Sequence, residues 1–398
     1  MCTKCARAPA APAAPEVAAV AATRSGQRYG LLAALLLAGG AGAAVLPEDR
    51  ADLLYHSYDG GGVEVSGPSL LVRKSLGDSV SVYGNHYVDT VSSASIDVLT
   101  TASPYADERT EQGAGVDYLR DGTTLSLAYT NSDESDYKAD TVSFDISQDM
   151  FGDLTTVTLG YSQGNDKIGK SNDPAFAATA TRQHYRVGLS QVISKNMLLA
   201  LNLETITDQG FLNNPYRSVR YLDPLSALGY SYEPEIYPAT HTSDAVALRA
   251  RYYLPYRAAV YGEYRRYGDT WGIDANTWEI GYLHPWRENW LLEFRLRQYS
   301  QEAADFYSDL FPRQQAQNFL ARDKELSTFS SRSLGVTVSY DPGLHWNFIE
   351  RTAFTLSLDH IQFNYEDFRD LTKAAAPGSE PLYEFTANVL QLYVSLWY

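Results

Sequence analysis

The sequence has 398 residues, with 32 Lys plus Arg against 48 Asp plus Glu and a formal net charge of -16 at pH 7. A balance this acidic speaks against nucleic acid as a partner, because a phosphate backbone calls for Lys and Arg. The mean hydropathy of -0.29 argues against a helical membrane protein but not against a β-barrel, in which only alternate strand residues meet lipid. Thirty Tyr against fourteen Phe favours the ring that rests on an apolar surface while its hydroxyl reaches water.

Near the start, Arg24 and Arg28 precede the apolar run 31–38, and small residues follow at Ala41, Gly42 and Ala43. This is the pattern of a secretory signal peptide, with cleavage expected just after Ala43 or Ala44. Residues 1–43 are therefore read as leader and signal, and 44–398 as one outer-membrane β-barrel. Cys2 and Cys5 form a C-x-x-C in the leader. One such pair without a second is a weak redox or zinc signal, and the exported part then has no cysteine and no disulfide.

From about Arg50 onward the chain repeats one unit: an alternating run of about ten residues, a tight turn, a second run, then a longer polar loop. A run at 53–58 is followed by Asp59-Gly60-Gly61-Gly62, and a run at 63–74 by Gly77-Asp78. Runs 113–120 and 123–130 meet across Asp121-Gly122, a strong two-residue hairpin signal. Further pairs are 141–149 with 154–163, 183–193 with 197–207, 244–254 with 258–267, 276–284 with 290–299, and 331–340 with 352–363. One face of each run is apolar, as in Leu125, Leu127 and Tyr129, or Leu334, Val336, Val338 and Tyr340. The other face is small or polar and poor in the bulky aliphatics of a packed core. That contrast favours a barrel over a soluble sandwich, whose two apolar faces meet each other.

Short turns alternate with long loops, so the short turns are expected at the periplasmic side and the long loops outside. The strand at 63–74 then runs inward, and the one near Leu53 runs outward. The fold predicted is an all-β transmembrane antiparallel up-and-down barrel of about sixteen strands, fourteen being the alternative count. The final stretch is expected to close it: Leu390, Leu392, Val394, Leu396 and Tyr398 facing lipid, with Gln391, Tyr393, Ser395 and Trp397 on the other face, pairing with the strand near Leu53.

One cluster suggests chemistry. The same alternation turns Arg249, Arg251, Glu263, Arg265, Glu279, Glu293, Arg295 and Arg297 inward on neighbouring strands. They read either as a constriction or anion-attracting patch on a pore wall, or as an ion-pair ladder that fills and rigidifies the lumen. The acidic run 132–136 lacks the spacing of a dedicated calcium loop. The seven histidines are scattered, and no nucleophile elbow, P-loop or dinucleotide motif stands in a usable context. No catalytic residue, metal site or cofactor is expected, and the chain does not read as an enzyme.

The runs 46–52, 55–62 and 67–74, together with 78–81, 100–105, 129–137 and 151–157, resemble a bacterial family catalogued as a domain of unknown function, family 3570. The resemblance spans nearly all of the exported part. It implies an outer-membrane barrel of Gram-negative bacteria and a link to a periplasmic redox system, and it carries no catalytic residues over. Two functions follow as expectations. The first is a pore or transport channel for a small solute, since sixteen strands can enclose an aqueous channel. The second is a closed structural or interaction barrel whose long connections, 208–242 and 301–326, bind an envelope protein or fold inward. Its other partners would be outer-membrane lipid and the barrel-assembly machinery.

Overall fold

The computed structural model describes residues 45–93, 105–171, 173–344 and 346–398. The stretch 1–43 read above as leader and signal, with Cys2 and Cys5, lies outside the described residues.

Eighteen strands follow one another: β1 (Arg50–Gly60), β2 (Val63–Leu76), β3 (Val80–Ser93), β4 (Tyr105–Arg120), β5 (Thr123–Asp133), β6 (Tyr137–Met150), β7 (Thr155–Ile168), β8 (Ala178–Ser194) and β9 (Met197–Gly210), then β10 (Ser218–Leu222) and β11 (Tyr230–Pro234), then β12 (Thr240–Tyr253), β13 (Ala259–Asp269), β14 (Asp274–Trp286), β15 (Trp290–Gln301), β16 (Phe329–Tyr340), β17 (Arg351–Arg369) and β18 (Leu382–Trp397). Sixteen of them form one closed antiparallel barrel in which each strand pairs with its neighbours in sequence. β9 pairs with β12, and β18 closes on β1. β10 and β11 form a separate hairpin that is not part of the wall.

Local chemistry sets the turns. Asp121 and Gly122 have φ of 49° and 80°, the left-handed pair a two-residue hairpin turn requires. Closure is in register, with Leu53 opposite Val394 and Asp52 opposite Ser395. β18 ends at Trp397, one residue short of Tyr398. Its hydroxyl turns back to the Arg73 carbonyl at 2.9 Å.

Leu127, Ile280, Leu334, Leu356 and Leu392 all lie on the outside of the barrel and are exposed. Apolar side chains turned out around a closed wall are the arrangement of strands that cross a bilayer, where the outside solvent is hydrocarbon. At the long-loop end the strands run on past the alternation. β4 begins at Tyr105 rather than 113, and β17 continues to Arg369 rather than 363, because ladder hydrogen bonds persist where the outer face is no longer apolar.

The small or polar inner face holds only for the turn-end part of the barrel. Toward the loop end it carries Phe329, Ile361, Phe363, Tyr365 and Val389, all buried. The connections 211–239 and 302–328 fold inward onto this apolar wall. They contribute Leu212, Tyr237, Ala304, Phe306 and Leu326 to the same core, and isolated bridges join Tyr221 to Phe311, Ile236 to Leu320 and Tyr307 to Ala321. Together they make a cap seated in the mouth.

Candidate lumen and loop-end cap

The cap is fastened by charge as well as by apolar burial. Arg220 on β10 is wholly buried. It donates from Nη1 to Glu380 Oε1 at 2.5 Å and from Nη2 to Glu380 Oε2 at 3.1 Å, and from Nε to the Asp309 carbonyl at 2.8 Å. It also pairs with the Asp309 carboxylate, which accepts a second cation, Arg322, at 2.9 Å. Three connections are thereby joined at one point, and bidentate geometry is what makes a buried guanidinium tolerable. Against the cost of its own burial, the Arg220 hydrogen bond holds the Glu380 carboxyl below its ordinary range.

Glu235 lies nearby, just beyond β11. Its carboxylate accepts from the Arg322 backbone N–H at 2.8 Å and from the Tyr237 hydroxyl at 2.9 Å. Burial, and then the charge of Asp323, push its pKa up to about 7, with Arg217 opposing. Asp323 itself pairs with Arg217.

Below the cap, the eight residues expected in one luminal ladder all face inward, and two of the arginines also reach acids outside the eight. Arg249 reaches Glu263 at 2.6 Å and Glu279 at 4.0 Å. Tyr261 joins Arg249 and these acids, its hydroxyl donating to Glu293 at 2.8 Å and lying 3.3 Å from Glu279 Oε1, with Arg251 6.0 Å from its ring. Arg265 also reaches Glu204 on β9 at 3.7 Å. Arg295 pairs with Asp359 on β17, and Arg297 lies 5.9 Å from the Tyr299 ring.

The pairs that leave the expected ladder follow a steric rule. Arg295 and Asp359 belong to strands two apart, and Gly335 on the intervening β16 lies beneath their contact. A Cβ there would meet both Asp359 Oδ1 and Arg295 Nη2 inside contact distance. Asp145 on β6 and Arg186 on β8 meet at 2.6 Å over Gly160 of β7 in the same way. Arg73 reaches Asp117 past Ser81, which also accepts from its Nη1 at 3.4 Å, and His56 reaches Asp89 at 2.6 Å with the Tyr87 ring stacked on it. These partners were missed in the sequence. Once the register is known, the sign of such a pair is a glycine or serine at an inward position with opposite charges on the strands to either side.

The inner wall is unequally open. Around β14 to β1 the charged side chains are packed away, as with Glu279, Arg295, Asp52 and His56. Around β8 they keep contact with water: the side chains of Arg182 and Arg186 are 38% and 40% exposed. The acidic run 132–136 borders an open recess of about 520 Å³ with Asp107 and Glu108. Among the described residues no group of three ligating side chains converges on a metal position.

No curated protein matches the chain in sequence. Among solved structures, a bacterial polysaccharide outer membrane secretin aligns at 10% identity over 89% of this chain and 100% of its own, with a TM-score of 0.46. In-vitro folded OmpT, an outer membrane protein of Vibrio cholerae, aligns at 10% identity over 89% and 100%, with a TM-score of 0.43. The outer membrane protein opdK from Pseudomonas aeruginosa aligns at 10% identity over 88% and 100%, with a TM-score of 0.42. Likenesses at this level say nothing about what passes through or binds to the barrel. A family model described as "Protein of unknown function (DUF3570)" matches residues 96–353, well over half of the chain, and the protein belongs to that family.

Proposed function

We propose that this protein is an outer-membrane pore for a small solute, with a cap that fills part of its outer mouth. The observation that carries the reading is the pairing of an apolar exterior with charged, water-accessible side chains inside, above all Arg182 and Arg186. A wall that existed only to be filled would bury these guanidinium groups, as it buries Arg295. The short turns then face the periplasm, and the cap faces outside. The solute needs no cofactor in the barrel, and the work of the wall is electrostatic and steric rather than catalytic.

The test is single-channel recording in planar bilayers with the folded protein. Stepwise conductance is expected, and complete silence from well-folded barrels would remove the reading. A second reading, a closed interaction barrel, draws on the buried Arg220 node, which fixes the cap as a built surface rather than a loose lid. Deleting 213–235 together with 304–324 separates the two. A pore then conducts more, whereas a scaffold loses a partner and gains no current.

A further inference from the structure

The luminal face of β8 carries three nitrogen-bearing side chains in succession, Arg182, His184 and Arg186, at every second residue and so about 6.6 Å apart along the strand. This run stands out in a chain whose net charge is -16. Among the described residues each guanidinium has one carboxylate in hydrogen-bond contact, with Asp166 of β7 near enough to Arg182 to act on it through charge. Arg182 is fixed through Nε to Asp208 at 2.6 Å, and Arg186 through Nη2 to Asp145 at 2.6 Å. A guanidinium has five donors, so both keep donors for a ligand.

The acids stand behind or beside the arginines. Asp208 is 5% exposed where Arg182 is 38% exposed, and Asp145 is the less exposed partner of Arg186. Glu204 lies opposite Arg186 on β9 and is drawn toward Arg265. The floor beside the rib is small and polar. Gly164, Ser162 and Gly160 of β7 are the cross-strand neighbours of Arg182, His184 and Arg186, and Ser143 of β6 is opposite Ser162. His184 Nε2 is buried with no hydrogen-bond partner among the described residues.

We infer that this wall is a track for small anions, a carboxylate or inorganic phosphate, that pass along Arg182, His184 and Arg186 over the Gly160, Ser162 and Gly164 floor. Several weak sites in series suit conduction better than one tight site, because the ion must leave as well as enter. The inference takes its path from the pore reading, but the binding it describes does not depend on a through-current.

The experiment uses the full-length folded protein, in planar bilayers under a tenfold potassium chloride gradient and, separately, in detergent for calorimetric titration with sodium acetate and sodium phosphate. The wild type is expected to favour chloride over potassium. The double variant R182Q/R186Q is expected to lower that preference about fivefold or more, while Arg266→Gln, which removes an exposed cation paired with Asp274, leaves it unchanged. Should the double variant fail to fold, Ser162→Asp places a carboxylate on the floor and is expected to have the same effect.

Conductance without anion preference, or a preference that survives both variants, overturns the inference and leaves the pore reading in place. No conductance, but saturable titration that R182Q/R186Q abolishes, overturns the pore reading and upholds the track as a binding site. Acetate and phosphate run in parallel identify which anion class fits. Absence of both current and binding overturns both.

Discussion

Arg220 and Glu380 are 160 positions apart in the chain and meet in a bidentate pair inside the cap, the arginine with no exposure to solvent. Removing the guanidinium leaves Glu380 and Asp309 buried without that cation. Breaking a buried pair from one side costs about 3–5 kcal/mol. Arg220→Met is therefore expected to open the cap while leaving the barrel wall folded. Limited proteolysis should cut within 211–239 or 302–328, and the folded barrel should keep its mobility in unheated gels.

Gly335 is expected to tolerate no side chain. In Gly335→Ala the new Cβ enters the Arg295–Asp359 contact and lies 2.7 Å from Arg295 Nη2, so the pair must separate. A loss of about 3–5 kcal/mol is expected for a buried pair, read as earlier thermal unfolding. Gly84→Ala is the control, since the nearest atom to its Cβ is 3.7 Å away, and it should unfold with the wild type.

The stability of the cap should depend on pH through Glu235. Its carboxyl titrates at about 7 in the folded cap, against an ordinary value of 4.5. The folded state holds this proton where the unfolded state has released it, so the contribution is fully present below about 4.5 and is lost as pH rises toward 7. Arg217, Asp323, the Arg322 N–H and the Tyr237 hydroxyl are the groups that face it. Hydrogen exchange in 211–239 is expected to be slower at pH 5 than at pH 8, beyond the intrinsic rate change, and Glu235→Gln should flatten the difference. Glu380 works in the opposite sense, its contribution being lost only at more acidic pH, as its lowered carboxyl is protonated.

The outward face should respond to charge as lipid-facing barrel positions do. Ile280 is 64% exposed on β14, and Ile280→Arg is expected to cost about 2–4 kcal/mol on folding into bilayers if it lies near the midplane. Equilibrium folding into phospholipid vesicles measures this directly. An unchanged folding free energy would contradict a hydrocarbon environment there.

Strand number and closure were legible because one physical rule governs them. Leu334, Val336 and Val338 repeat with period two, and the facing Ser333, Gly335, Thr337 and Ser339 are too small and polar for a packed core. The luminal partners were not legible, since Arg295 finds Asp359 through register and a glycine on the strand between, and no local pattern encodes a contact two strands away. Folding inward was one of two alternatives read from the length of the connections 208–242 and 301–326, but the pairing inside the cap was not legible. β10 and β11 are five residues each, too short for a period, and they fold against a connection far along the chain. One signal was present and unused. In β17 the apolar positions shift from even numbers, Phe354, Leu356 and Leu358, to odd ones, Ile361, Phe363 and Tyr365, with no register shift before Asn364. The hydrophobic side thus passes from lipid to lumen part-way up the strand, where the cap sits.

The closure between β1 and β18 has a kinetic consequence. Leu53 and Val394 are partners, so the seam joins the strands most distant from each other in sequence. Until it closes, β1 and β18 each present a row of unpaired backbone groups, and contacts this distant in sequence form slowly. The nascent barrel is then an open sheet with two adhesive edges. Its escape from aggregation depends on keeping those edges apart, in time or by an escort, until the final residues are in place.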